Sequence, residues 1–115
     1  MAVTLYHNPR CSKSREALAL LHEKGVEPEI VEYLKTPPDA ATLRLLLRML
    51  KLQPRDLMRK KEPEYKALGL DNPDLSDDEL ISAMVTHPKL IERPIAVSGK
   101  KAALGRPPED ILSIL

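Results

Sequence analysis

Two strand patterns and one helix pattern fill the first 34 residues, and this spacing constrains the fold more than any other feature. Val3–Tyr6 and Glu29–Leu34 have the apolar and β-branched composition of strands. Between them, Ser14–Lys24 carries an apolar stripe at helical spacing, and Gly25 stands where a glycine often ends a helix. Strands joined by a single helix run parallel, with a right-handed crossover. The segment therefore predicts a βαβ unit.

The middle of the chain is predicted to be helical. Thr36 or Asp39 caps a helix that has a proline in its first turn. Shorter helical segments are expected over Arg55–Lys61 and Pro63–Leu68. The capping box Ser76–Glu79 then starts a helix that ends at His87-Pro88. The buried positions of the two longer helices are expected to be Leu43, Leu46, Leu47, Leu50, Leu80, Ile81 and Met84.

The last quarter of the chain predicts a hairpin and a helix. Ile95–Val97 and Lys101–Leu104 flank a Ser-Gly-Lys turn. Arg106–Asp110 starts a final helix with Ile111, Leu112 and Leu115 facing inward. The order βαβ, helices, ββα is that of the thioredoxin/glutaredoxin-like α/β fold. We expect a single domain over residues 1–115, with a helical insertion at about 38–90 between its two halves.

Composition excludes several classes of protein. The chain has 115 residues, a net charge of +1 and a single cysteine, so no internal disulfide can form. No signal peptide or apolar run of membrane-spanning length is present, which favours a reduced, cytoplasmic location. The balanced charge and scarce aromatic residues argue against nucleic-acid or membrane binding. No metal-ligand spacing occurs, and we expect a monomer without a tightly bound cofactor.

Cys11 is the strongest candidate for a reactive group. It lies at the predicted strand-to-helix turn, where backbone N–H groups and the helix dipole stabilise a thiolate. Arg10, Lys13 and Arg15 add positive charge nearby, and His7 is close enough in sequence to reach the sulfur. A lone cysteine can also be a small buried apolar residue. The polar and cationic surroundings favour the reactive thiol.

The fourth position of a C-x-x-C motif is Ser14, so a disulfide formed by Cys11 must be intermolecular. The Ser14 hydroxyl either donates a hydrogen bond to the thiolate or simply begins the helix. A C-x₅-R phosphate loop is absent, since Ala17 stands six positions after Cys11.

Three arginines near predicted element ends are candidate oxyanion ligands, because guanidinium forks bind tetrahedral anions through paired hydrogen bonds. Arg93 and Arg106 each precede a proline and flank the hairpin, and the fold places an X-Pro turn opposite the thiol. The three candidates are Arg59, Arg93 and Arg106. Surface positions are expected for Arg44, Arg48 and Arg55.

A set of short segments spread along the whole chain carries a resemblance to a known family. The segments are Tyr6–Cys11, Glu32–Leu34 with Pro37-Pro38, Leu57–Lys60, Glu64-Tyr65 with Leu68–Leu70, His87–Ile95 and Gly105–Pro107. In these segments the chain resembles the glutaredoxin-linked arsenate reductases of the thioredoxin-like superfamily. Ser12-Lys13 and the short chain make it more similar to the short chromosomal branch than to the plasmid-type members.

The resemblance implies a function in arsenic detoxification. Cys11 matches the nucleophile that forms a thiol–arsenate adduct, His7 a histidine that favours the thiolate, and Ser14 a serine near it. The implied oxyanion ligands are Arg59, Arg93 and Arg106. Glutathione is the implied co-substrate, glutaredoxin the implied partner, and arsenite the product. Two alternatives are a thiol-sensing regulator similar to Spx and a thiol reductase with another substrate; a third is an adaptor domain with a vestigial site.

Overall fold

The computed structural model describes residues 2–115 and contains a four-stranded sheet in the order β2-β1-β3-β4. The strands are β1 (Val3–His7), β2 (Glu29–Glu32), β3 (Ile95–Ser98) and β4 (Lys101–Leu104). β1 runs parallel to β2 and antiparallel to β3, and β3 and β4 form a hairpin. The predicted βαβ unit and hairpin are therefore confirmed.

The helix of the βαβ unit, α1 (Ser12–Glu23), begins two residues before the predicted start. Cys11 occupies the N-cap position with an extended backbone and without a capping hydrogen bond from its side chain, so the helix starts directly after the cysteine. At the other end Gly25 has a φ of +74°, the left-handed conformation that glycine adopts most readily. β2 ends two residues earlier than predicted, because Glu32 O accepts the N–H groups of Lys35 and Thr36 and the chain turns there.

One face of the sheet packs on α1 and on the C-terminal segment to form a core. The buried members of this core are Val3, Leu5, Ala17, Leu21, Ala96, Ala103, Ile111 and Ile114. The C-terminal segment is a 3₁₀ helix, Pro108–Ile114, rather than an α-helix. Its period of three puts Pro108, Ile111 and Ile114 on the buried face. The predicted inward position of Leu115 is therefore wrong, since its side chain is 42% exposed.

The chain divides into two compact units, which are residues 2–36 with 93–115 and residues 37–92. The second unit contains α2 (Ala40–Leu50), α3 (Pro63–Ala67) and α4 (Asp77–Thr86), with 3₁₀ helices at Pro54–Leu57 and Pro88–Leu90. No helix within residues 2–115 has both the length and the apolar character needed to cross a bilayer.

The caps of α2 and α4 follow from side-chain chemistry. Asp39 accepts the N–H of Thr42 at 2.8 Å and caps α2, so the prolines before it lie outside the first turn where one was predicted. Ser76 and Glu79 form the predicted capping box of α4. Leu43, Leu46 and Leu47 are buried as expected, whereas Leu50 near the C-terminal end of α2 is only half-buried.

Two predictions for the segment that begins at Arg55 are wrong. The expected helix Arg55–Lys61 is reduced to one 3₁₀ turn, because Met58 pairs as an isolated bridge with Ile91. The Arg55 guanidinium is also not a free surface group. Its Nη1 donates to Tyr65 Oη at 2.7 Å and to Leu70 O at 2.5 Å, and its Nη2 donates to Asn72 O at 2.9 Å. Arg55 thus ties together the segment that leads out of α3.

Candidate active site

A tight turn carries the thiol from β1 to α1. The carbonyl of Asn8 accepts the N–H of Cys11 at 3.0 Å, and the Asn8 side-chain oxygen accepts the N–H of Arg10 at 3.0 Å. The Cys11 carbonyl then accepts the N–H of Arg15, the first bond of the helix. Asn8 is buried, so these hydrogen bonds hold the turn that carries the cysteine from its buried side. An asparagine followed by a proline is a common turn signal, and here the main-chain and side-chain oxygens of Asn8 both accept hydrogen bonds within the turn.

Cys11 is partly exposed, and opposing influences set its pKa. Burial raises the pKa of the thiol. The backbone N–H of Ser14, the guanidinium of Arg93 by hydrogen bond and charge, and the backbone N–H of Lys13 lower it, and together they prevail. The result is a thiol whose pKa lies below its ordinary value, which is the condition for a nucleophilic thiolate.

Arg93 and Arg106 lie together beside the hairpin. Each precedes a proline through a cis peptide bond, and Arg106 Nη1 donates to the carbonyl of Arg93 at 3.0 Å. The Nε of Arg93 is buried and has no hydrogen-bond partner among residues 2–115. The guanidinium of Arg93 thus lies next to the thiol, where it can stabilise negative charge by hydrogen bond and by its own charge.

His7 and Ser14 contact each other on the buried side of the turn. The Ser14 hydroxyl oxygen lies 2.7 Å from His7 Nδ1 and accepts the N–H of Asn8 at 3.0 Å. Burial lowers the pKa of His7, and Arg15 acts in the same direction while Glu32 opposes it. The hydroxyl of Ser14 is therefore engaged with His7 and Asn8, whereas its backbone N–H is the group that stabilises the sulfur anion.

Arg59 belongs to the unit formed by residues 37–92, where two carboxylates hold it. Its Nε lies 3.3 Å from a Glu62 oxygen and its Nη1 lies 3.2 Å from a Glu92 oxygen. The backbone N–H of Arg59 donates to Leu90 O at 2.7 Å. The predicted function as an oxyanion ligand stays a prediction for Arg59, Arg93 and Arg106, as do the chemical roles of Cys11, His7 and Ser14.

The comparisons with known proteins identify the family. The family model described as "ArsC family" matches residues 6–114. The chain is 60% identical to "Uncharacterized protein YfgD" of Escherichia coli strain K12, over 98% of this chain and 96% of that one. It is 51% identical to an arsenate reductase of Neisseria meningitidis serogroup A, over 98% and 97% of the two chains.

A solved arsenate reductase from Vibrio cholerae superposes with a TM-score of 0.98 at 52% identity, covering 100% of this chain and 98% of that one. The predicted thioredoxin-like α/β fold is thereby confirmed. With this fold, a cysteine of lowered pKa directly after its first strand and a match to the family model over residues 6–114, the chain belongs to the ArsC family.

Proposed function

We propose that this protein is an arsenate reductase that works through one thiol. The observation that carries the proposal is the Cys11 thiol, partly exposed at the start of α1 and held at a lowered pKa by backbone N–H groups and Arg93. Relatives that align over nearly their full length are named arsenate reductases. The cytoplasm is the proposed location, because a free thiolate needs a reducing compartment.

The proposed first step is attack of the Cys11 thiolate on arsenic, which gives a covalent thiol–arsenate adduct with loss of one oxygen as water. The Arg93 guanidinium stands beside the sulfur, so Arg93 is the first candidate to bind the arsenate oxygens. Arg106 is bonded to the Arg93 carbonyl and is the second candidate. Arg59 is the third candidate, and its proposed role rests on the family resemblance.

The second thiol must come from solution, because Cys11 is the only cysteine in the chain. Glutathione is the proposed donor. The overall reaction consumes arsenate, the Cys11 thiol and one glutathione thiol. It gives arsenite, one water and a Cys11–glutathione disulfide, so the two thiols pass two electrons to arsenic. A glutaredoxin thiolate then takes the glutathione and regenerates Cys11.

A glutathione- and glutaredoxin-coupled assay of arsenite release tests the proposal. The wild-type protein should turn over, and Cys11→Ser should not. When glutaredoxin is omitted, mass spectrometry should detect the protein enlarged by one glutathione. Sustained turnover with thioredoxin and no glutathione would contradict the proposed reductant. An inactive but folded wild-type protein would instead favour a thiol reductase with another substrate.

The arginine roles are tested by alanine variants at positions 59, 93 and 106. Loss of one group that stabilises developing charge typically costs on the order of 10²–10³ in rate. Arg48→Ala removes an exposed guanidinium of α2 and is the matched control, which should leave the rate unchanged. A variant that loses activity only in proportion to its loss of stability would show that its arginine is structural.

A further inference from the structure

Asn8 makes three hydrogen bonds inside the turn between β1 and α1. Its N–H donates to the Ser14 hydroxyl, its carbonyl accepts the N–H of Cys11, and its side-chain oxygen accepts the N–H of Arg10, each at 3.0 Å. Asn8 is only 7% exposed, although it lies in a connection between two elements. One buried residue therefore joins the end of β1 to the cysteine and to the first turn of α1.

We propose that Asn8 is a positioning residue for the Cys11 nucleophile: its side-chain amide holds the cysteine at the start of α1 and adds no charge beside the sulfur. The inference rests on the proposed function only for its effect on arsenate reduction. Its effect on the thiol itself can be measured without arsenate.

The acceptor oxygen of the Asn8 side chain completes the turn. Pro9 has no N–H, so the donors between Asn8 and the helix are the N–H groups of Arg10 and Cys11. The side-chain oxygen takes the first, and the Asn8 carbonyl takes the second. Asparagine side chains commonly fold back in this way on the residue two positions ahead. With both turn donors engaged, the N–H groups that lower the pKa of the thiol are those in the first turn of α1.

The need for a neutral side chain at position 8 follows from the charge of the sulfur. An aspartate could accept the Arg10 N–H in the same geometry. Its carboxylate would, however, lie in the same short turn as Cys11, and a like charge nearby disfavours the thiolate. A thiol–arsenate adduct would add further negative charge at that place. Asparagine therefore supplies the acceptor without offsetting Arg93, the cation that acts on the sulfur.

The chain contains a second turn of the same Asn-Pro type, which supplies a matched control. The Asn72 side-chain oxygen accepts the N–H of Asp74 at 2.9 Å across Pro73, and the Asn72 carbonyl accepts the N–H of Leu75 at 3.4 Å. Asn72 is exposed and belongs to the unit formed by residues 37–92. Variants of Asn72 therefore change the same side chain in the same kind of turn, but in a turn that carries no cysteine.

Three variants of Asn8 separate the acceptor from the charge. Asn8→Ala removes the acceptor, so amide exchange of Arg10 should be faster and the pH midpoint of iodoacetamide alkylation of Cys11 should rise by about half a unit. Asn8→Asp keeps the acceptor, so the Arg10 amide should stay protected, but the midpoint should rise by about 1 unit. Below the midpoint, alkylation of this variant should be about tenfold slower, since each unit changes the thiolate fraction tenfold. Asn8→Ser, with a neutral and weaker acceptor, should fall between Asn8→Ala and the wild type.

The controls Asn72→Ala and Asn72→Asp should leave the alkylation midpoint at the wild-type value. A wild-type midpoint in Asn8→Asp, with the Arg10 amide still protected, would overturn the need for a neutral side chain. A wild-type midpoint in Asn8→Ala would overturn the need for the acceptor, and shifts that the Asn72 variants reproduce would overturn both. A wild-type protein that does not reduce arsenate would refute the proposed function, whereas midpoints that shift as expected would still support the role of Asn8.

Discussion

The Nδ1 of His7 and the hydroxyl oxygen of Ser14 lie 2.7 Å apart, and both side chains are buried. His7 is the last residue of β1 and Ser14 lies in the first turn of α1. The same oxygen accepts the N–H of Asn8, so one hydroxyl of α1 holds both the end of β1 and the residue that follows it. The turn that carries Cys11 is therefore closed by hydrogen bonds between its two ends.

Ser14→Ala tests this arrangement. It leaves the Asn8 N–H and His7 Nδ1 without their buried partner, and we expect the free energy of unfolding to fall by about 1–3 kcal/mol. Urea denaturation measures the effect. Ser12→Ala, two residues away and exposed, is the matched control and should stay within about 0.5 kcal/mol of the wild type. Equal free energies of unfolding for the two variants would show that the Ser14 hydroxyl does not stabilise the turn.

The lowered pKa of His7 predicts a pH dependence of stability. Between the folded pKa and the ordinary value of 6.5, the unfolded chain binds more protons than the folded one. The stability is present in full above that value and is lost as the pH falls through the folded pKa. His7→Gln should remove this part of the slope, whereas His22→Gln, an exposed histidine, should keep it. A wild-type slope equal to that of His7→Gln would refute the prediction.

Arg93 is the side chain that lowers the pKa of the Cys11 thiol, by hydrogen bond and by charge. In Arg93→Ala the guanidinium is lost, so the pH midpoint of iodoacetamide alkylation should rise. The backbone donors at the start of α1 remain and should still hold the midpoint below the value it would have without them. Arg48→Ala removes the same charge from α2 and should leave the midpoint at the wild-type value. If both variants share one midpoint, the guanidinium does not act on the sulfur.

The sequence was sufficient to predict the sheet, α1 and the position of Cys11, because hydrophobic periodicity and turn residues act locally. It missed the network around Ser14. Either the hydroxyl or the backbone N–H of Ser14 could face the sulfur. The conformation of the turn decides between them, and spacing along the chain does not specify that conformation. The same limit explains Leu115, since an α-helix and a 3₁₀ helix bury different positions of one apolar sequence.

Arg55 shows the limit most directly. Its partners are a tyrosine hydroxyl and two carbonyls that lie 10 to 17 residues further along the chain, so no local pattern marks it. Arg55→Ala should lower the free energy of unfolding by about 1–3 kcal/mol, because partly buried acceptors lose their donor. Arg48→Ala should change it by about 0.5 kcal/mol or less. Chemical denaturation of the two variants decides whether Arg55 is structural.

Gly105 packs against the proline that follows Arg93. A Cβ at this position would lie 2.7 Å from Pro94 Cγ and 3.1 Å from Ile111 Cγ2, and the Gly105 N–H donates to Pro94 O at 2.8 Å. Because the proline ring cannot rotate away, Gly105→Ala should cost about 1–3 kcal/mol of stability and displace Arg93, which raises the alkylation midpoint of Cys11. Gly25→Ala is the control, since it strains a positive φ in open space and should destabilise the protein without changing the thiol. A midpoint that moves equally in both variants would mean that the thiol responds to lost stability and not to the position of Arg93.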